Sequence, residues 1–257
     1  MPRISIGSTA GSEMLAFQGR DPAMTIYTEN FFLELQEGAR LSAREIVPLL
    51  IRLLRPRSVV DVGCGLGTWL SVFAENGVED LLGIDGDYVN PQKLEIPKDR
   101  FRAHDLSRSL RLERSFDLVV SLEVAEHLPE EHAATFVDSL TGLGSAVLFS
   151  AAIPFQGGTN HVNEQWPEYW AALFSQKGYA AVDCIRREVW RNEKVEWWYA
   201  QNTLLFVEEN RLEHPPFAGR LERTPTSQLA LVHPKQYLYA VETAGLSSSN
   251  APPRAND

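Results

Sequence analysis

Val59-Val60-Asp61-Val62-Gly63-Cys64-Gly65-Leu66-Gly67-Thr68-Trp69-Leu70 decides the fold of this 257-residue chain. The β-branched residues around Asp61 predict a strand, and glycine at three alternate positions predicts a tight turn after it. Glycine there permits positive φ and lets a ligand lie against bare backbone. A helix-like segment follows from Thr68. The stretch reads as the first strand, turn and helix N-terminus of a nucleotide-binding βαβ unit. Its G-x-G-x-G spacing differs from the dinucleotide fingerprint G-x-G-x-x-G, whose third glycine would fall at Thr68. An ordinary strand-to-helix turn is the alternative for the glycines taken alone.

The segments downstream fall in the order such a unit requires. Leu81-Leu82-Gly83-Ile84-Asp85 is an apolar run ending in a carboxylate 18 residues after Gly67. An acid about 20 residues past the turn suits a ribose, because a carboxylate accepts from both hydroxyls. Phe101-Arg102-Ala103-His104-Asp105-Leu106 predicts a third strand ending in an acid. Phe116-Asp117-Leu118-Val119-Val120-Ser121 predicts the fourth, and Ala146-Val147-Leu148-Phe149-Ser150 the fifth. Singly, Asp85 and Asp105 read equally well as helix caps.

On these residues the chain resembles the class I S-adenosylmethionine-dependent methyltransferases, whose signature is an acid followed by that glycine spacing. The resemblance implies an α/β fold, a Rossmann-like seven-stranded and mostly parallel sheet with a reversed C-terminal β-hairpin and helices on both faces. It implies S-adenosylmethionine as cofactor, bound by Asp61, Gly63, Gly65, Asp85, Asp105, Leu106 and Ser121. Asp105 would lie beside the adenine amino group, and Tyr27 on the N-terminal arm would close over the cofactor.

Composition bounds the partners. A chain that is 44% hydrophobic can bury one sizeable core, and its net charge of −10 argues against wrapping a nucleic-acid backbone. Two cysteines, Cys64 and Cys184, make no disulfide framework. No apolar run reaches the ~18 residues of a membrane span, and no leader pattern opens the chain. The expectation is a cytoplasmic protein without a membrane or nucleic-acid partner, with a homo-oligomer left open. Residues 1–56 read as an arm and cap helices, with two helices in 31–54 separated at Pro48. Residues 57–207 read as the cofactor-binding core. Within it, 179–190 and 197–207 read as two strands joined by Arg191-Asn192-Glu193-Lys194. Residues 208–257 form a C-terminal extension with a helix near 234–243 and a polar tail expected to be disordered.

Ligands of open α/β sheets bind at the carboxyl ends of strands. After strand four stands Glu123-Val124-Ala125-Glu126-His127, an E-x-x-E-H pattern. On a helical turn Glu123 and Glu126 would share a face, with His127 four residues from Glu123. Two carboxylates and an imidazole suit a divalent cation, Mg²⁺ or Mn²⁺ by the oxygens. After strand five, Gly157-Gly158-Thr159-Asn160-His161 adds a second histidine before an aromatic segment. In topology this resembles the small-RNA 3′-end 2′-O-methyltransferases and, more loosely, the ubiquinone-pathway O-methyltransferases. The former pair E-x-x-E-H with a later histidine on a metal. Carried over, the ligands are Glu123, Glu126, His127 and His161, with His127, His161 and Glu123 catalytic. The residues around His161 differ from those enzymes, so His161 as a substrate-contacting or capping residue stays open.

A cation or a histidine base helps a hydroxyl most, because an aliphatic hydroxyl is a poor nucleophile. The expected activity is O-methylation of a hydroxylated small molecule, with a saccharide or glycosylated metabolite the favoured class. Trp69, Trp166, Tyr169, Trp170, Trp190, Trp197, Trp198 and Tyr199 offer aromatic faces for such rings. Asn160, Asn163, Glu164, Gln165, Gln201 and Asn202 offer hydrogen bonds to hydroxyls. The competing readings are a metal-free N- or C-methyltransferase with His127 as base, and a cofactor-binding scaffold without chemistry.

Overall fold

The computed structural model of the protein describes residues 29–215 and 217–244, so Tyr27 and the C-terminal tail lie outside it. The chain divides into two units, Met1–Glu37 and Gly38–Asp257. The second holds all that follows, apart from the opening turns of α1.

The elements run α1 (Glu29–Leu54), β1 (Ser58–Val62), α2 (Thr68–Glu75), β2 (Asp80–Asp85), β3 (Phe101–Ala103), β4 (Leu118–Leu122), α3 (Ala133–Thr141), β5 (Ala146–Ser150), α4 (Pro167–Ser175), β6 (Tyr179–Val182), α5 (Arg186–Val189), α6 (Trp197–Asn202), β7 (Leu204–Glu208), α7 (Glu209–Leu212) and α8 (Pro234–Thr243). Seven strands form one sheet in the order β3-β2-β1-β4-β5-β7-β6. The strands pair in parallel from β3 to β5, and β7 runs antiparallel to both β5 and β6. This is the expected Rossmann-like sheet with its reversed hairpin. β1, β4 and β5 are buried along their whole length, which is why they read as continuous apolar runs.

Successive strand residues point to opposite faces and so feed two cores. On one face Ile46, Leu50, Leu70 and Phe73 pack with Val59, Leu118 and Leu148. On the other, Phe136, Leu140, Trp170 and Phe174 pack with Val60, Val119 and Val147. Phe174 stacks flat on Phe206 at a centroid distance of 3.9 Å.

Two expectations about local structure are corrected. The residues read as two helices form one, and α1 runs through Pro48. A proline inside a helix costs roughly 3 kcal/mol. Ile46, Val47 and Leu50 around it are fully buried, and each such side chain returns roughly 1.5–3 kcal/mol. Burial wins. The two long strands predicted at 179–190 and 197–207 are also shorter, because β6 ends at Val182 and Trp197–Asn202 is helical. Here tertiary contacts override the β-propensity of an aromatic-rich sequence. Arg186 is 1% exposed; it pairs through Nε and Nη2 with Asp183, at 2.9 and 2.7 Å, and its Nη1 donates to the Gln201 and Leu229 carbonyls. That pair turns the chain into α5. Tyr199 on α6 meets Trp69 edge-on at 5.2 Å, in the core.

The C-terminal extension returns along β6. Thr224 donates its N–H to the Ala181 carbonyl at 2.8 Å, and its Oγ1 accepts from Asp183 N at 2.9 Å. Leu229 is fully buried. Among the described residues no helix is long and apolar enough to cross a membrane.

Replacing Arg186 by alanine leaves Asp183 buried without its partner. The expected cost is about 3–5 kcal/mol, measured as the change in unfolding free energy in urea. A loss below about 1 kcal/mol would show that the pair does not organise this corner.

Candidate active site

The carboxyl ends of β1, β2, β4 and β5 converge on one edge of the sheet, and the glycine turn lies there. Gly63 has φ +87° and donates to the Ile84 carbonyl at 2.7 Å. A Cβ on it would lie 2.3 Å from Val124 Cγ2, whereas one on Gly65 would meet nothing within 4 Å. So the turn is tight towards the protein and open on its other side. Asp85 is 4% exposed and braces it. One carboxylate oxygen accepts from Gly65 N at 2.7 Å, and the other from Gly86 N at 2.6 Å and from the Tyr88 hydroxyl. Burial, and then the Asp85 charge, push the Asp61 carboxyl well above the usual range. Ser121 on β4 is fully buried and its hydroxyl has no partner.

Asp105 follows His104, whose N–H donates to the Asp85 carbonyl at 2.8 Å. β3 ends at Ala103, so the strand does not carry Asp105 as expected. Its side chain is 55% exposed and pairs with Arg108 at 3.1 Å. Hydrogen bonds from the Ser107 hydroxyl and N–H hold its carboxyl below the usual value. Leu106 next to it packs on the second core.

Beyond β4 the E-x-x-E-H residues do not lie on one helical turn. Glu123 takes φ +54°, and only Ala125–His127 coil, as a single 3₁₀ turn. The shared-face expectation for Glu123 therefore fails. One ligand atom each of Glu126, His127 and His161 lies within 4.8 Å of the others. The imidazoles of His127 and His161 meet edge-on at 4.9 Å. What brings the two histidines together across 34 positions of sequence is the Glu126 main chain, whose carbonyl accepts from Val162 N at 2.9 Å and Asn163 N at 3.0 Å.

Glu126 is fully buried, and its carboxyl makes no close hydrogen bond, with the Ala152 N–H and the Glu123 carboxyl as its nearest polar neighbours. Burial first, and then the charge of Glu123, push its carboxyl well up. His127 Nδ1 faces the Asn160 carbonyl at 3.3 Å, which makes that nitrogen the protonated one. His161 Nδ1 faces Glu164 Oε1 at 2.9 Å. Both rings thus keep Nε2 free. Burial, and then His161, lower the pKa of His127. A Cβ on Gly158 would come within 2.3 Å of His161 Nε2, so glycine there keeps that nitrogen accessible.

Glu123 stands beside the three with its carboxylate already held. It accepts from Gln156 Nε2 at 3.0 Å and Asn202 Nδ2 at 3.1 Å. Burial raises its pKa against these bonds. Gln156 Oε1 in turn accepts from Asn202 and Gln201. Gln201 and Asn202, read from sequence as substrate contacts, are therefore interior residues of this network, and Asn163 is only 4% exposed. Trp69, Trp170 and Tyr199 are core residues. The apolar side chains exposed near the two histidines are Phe155, Val162 and Trp166, with Tyr239 on α8 beside Gly157. Sequence reading missed three partners. Glu164 as the His161 anchor had a signal, an acid three residues past the histidine, whereas Tyr88 on Asp85 and Gln156 on Glu123 had none. A cavity of about 930 Å³ at the opposite edge of the sheet, lined by Arg57, Asp117 and Tyr179, touches none of these groups.

No curated protein matches the chain. Among solved structures, an O-methyltransferase family protein from Burkholderia thailandensis shares 17% identity at a TM-score of 0.50, with 70% of this chain and 57% of that one covered. The chain thus spans little more than half the length of that protein. The magnesium protoporphyrin IX methyltransferase from Synechocystis PCC 6803 with bound S-adenosylhomocysteine shares 18% at 0.51, covering 69% and 87%. A plantazolicin methyltransferase in complex with a pentazolic desmethylPZN analogue and S-adenosylhomocysteine shares 16% at 0.51, covering 73% and 91%. These likenesses concern the fold. The family described as methyltransferase domain matches residues 35–203, which takes in the glycine turn, Asp85, the E-x-x-E-H segment and His161. The chain belongs to that family of methyltransferase domains.

Proposed function

We propose that this methyltransferase transfers the methyl group to a hydroxyl of a small molecule, with a divalent cation held by Glu126, His127 and His161. The observation that carries the reading is Glu126. A fully buried carboxyl that makes no close hydrogen bond, beside Glu123 and two imidazoles with free Nε2 atoms, suits a cation whose charge would offset both acids. Mg²⁺ or Mn²⁺ fits the donor set, and Glu123 adds negative charge from beside it. When bound, such an ion lowers the pKa of an acceptor hydroxyl and fixes its direction.

The chain's own groups supply the rest. Gly63, Gly65 and Asp85 would hold the cofactor, with Asp61 and Ser121 beneath it and Asp105 and Leu106 at the adenine end. The methyl carbon would leave the cofactor's sulfonium sulfur, which becomes a neutral thioether, as its bond to the acceptor oxygen forms, and the hydroxyl proton would pass to solvent with the cation bound or to His127 Nε2 as the base without it. His127 serves as that base in the metal-free reading, since burial keeps its imidazole neutral at pH 7. The exposed rings of Phe155, Trp166 and Tyr239 favour an acceptor with a ring of its own, such as a saccharide or glycosylated metabolite. Residues 57–207 form the catalytic core in this reading, and 208–257 an added extension.

Three measurements test it. Mn²⁺ titrated into the protein and followed by electron paramagnetic resonance is expected to bind one ion. His161→Ala and Glu126→Gln should abolish that binding, and S-adenosylhomocysteine affinity should stay unchanged by calorimetry. A wild-type protein that ignores Mn²⁺ even with S-adenosylhomocysteine bound would remove the cation. Asp85→Ala should weaken S-adenosylhomocysteine binding by roughly 1.5–3 kcal/mol, the range for a charge-assisted hydrogen bond. The acidic chain predicts no labelling of RNA oligomers from radiolabelled cofactor, with or without Mn²⁺; labelled RNA 3′ ends would place the acceptor in another class.

A further inference from the structure

α8 lies beyond residues 35–203 matched by the family, yet it is joined to the loop that carries His161. Gln236 on α8 is 2% exposed and donates Nε2 to the Phe155 carbonyl at 2.7 Å. The N–H of the same residue, Phe155, donates to Glu164 Oε2 at 2.8 Å. Glu164 Oε1 accepts from Gly157 N at 2.8 Å and from His161 Nδ1 at 2.9 Å. One carboxylate therefore satisfies three donors, two from the loop backbone and one from the imidazole.

Phe155 explains why the loop needs holding. It sits at φ +67° and is 83% exposed, so neither backbone preference nor packing keeps it there. Its two hydrogen bonds, one to α8 and one to Glu164, supply that restraint. A group that accepts from a metal-binding histidine fixes the ring's tautomer and direction. Only a carboxylate can do so here while accepting from both backbone N–H groups, because an amide would turn a donor towards one of them.

We infer that Glu164 and Gln236 are positioning residues, through which the C-terminal extension sets the orientation of His161 towards the cation. The inference rests on the proposed cation site. It assigns α8 a part in the active site: the helix holds Phe155, Phe155 and Glu164 hold the loop, and Glu164 aims the imidazole.

The test uses the full chain and three readouts: Mn²⁺ titration by electron paramagnetic resonance, S-adenosylhomocysteine titration by calorimetry, and thermal melting. Glu164→Gln is expected to lower Mn²⁺ affinity about 10–100-fold, as loss of such an outer partner does elsewhere. Gln236→Leu, which keeps the side chain's volume and removes a buried oxygen that has no partner, should lower it about fivefold, the share of one neutral hydrogen bond. S-adenosylhomocysteine affinity should hold in both, which a general loss of structure would not allow. If Glu164→Gln fails to fold, Gln236→Leu decides alone. Wild-type affinity for Mn²⁺ in a folded variant would overturn the inference and leave the cation site standing. A wild-type protein without Mn²⁺ binding would overturn both.

Discussion

A carboxyl buried away from water against a second carboxyl is among the costlier groups a protein can hold, and Glu126, packed beside Glu123, is such a group. Held as an ion it would cost several kcal/mol even after relaxation, a large part of the net stability of a domain, and burial therefore drives its pKa well up. Its neighbours deepen the cost, because Glu123 adds a second negative charge. The same residue nevertheless organises the site through its main chain. Two N–H groups of the loop after β5 bond to its carbonyl and help to bring His161 beside His127. Backbone order and side-chain discomfort are thus concentrated at one position. That is the pattern expected where a fold stores energy for a ligand rather than for its own stability.

Much of the fold was legible in the sequence because its signals are local and chemical. Gly63 must be glycine for two separate reasons, a positive φ and the approach of Val124, so the motif reports a geometry directly. The strand cores of β1, β4 and β5 are buried on both faces, and nothing polar interrupts their apolar runs except Asp61 and the serines. His161 could be paired with His127 from its place after strand five. The failures have one common cause. Residues 183–190 and 197–202 look like strand because their aromatic residues favour strands, and only the Arg186–Asp183 pair and the Trp69 contact, both made in three dimensions, say otherwise. Pro48 looks like a helix end because its cost is local and the burial that offsets it is not.

The site residues divide along the same line. Glu126, His127 and His161 were found from residue type and topology, and they converge. Glu123 was placed with them by helical periodicity, a rule that lapses where the backbone takes a positive φ. Asp105 was placed at a strand end that the strand does not reach, and its carboxylate is occupied by Ser107 and Arg108. Gln201 and Asn202 were assigned to substrate because amides near a cleft usually face it. Here they face inward and hold Glu123 and each other.

The extension that follows β7 has a second consequence. β6 is the last strand of the sheet, and an open strand edge presents free N–H and C=O groups to any other chain. On the open side of β6 the Ala181 carbonyl is taken by the Thr224 N–H, and the Asp183 N–H just past the strand by the Thr224 hydroxyl. A strand of four residues blocked at those points offers no continuous ladder for sheet growth. The chain's own return path therefore guards it against edge-to-edge aggregation.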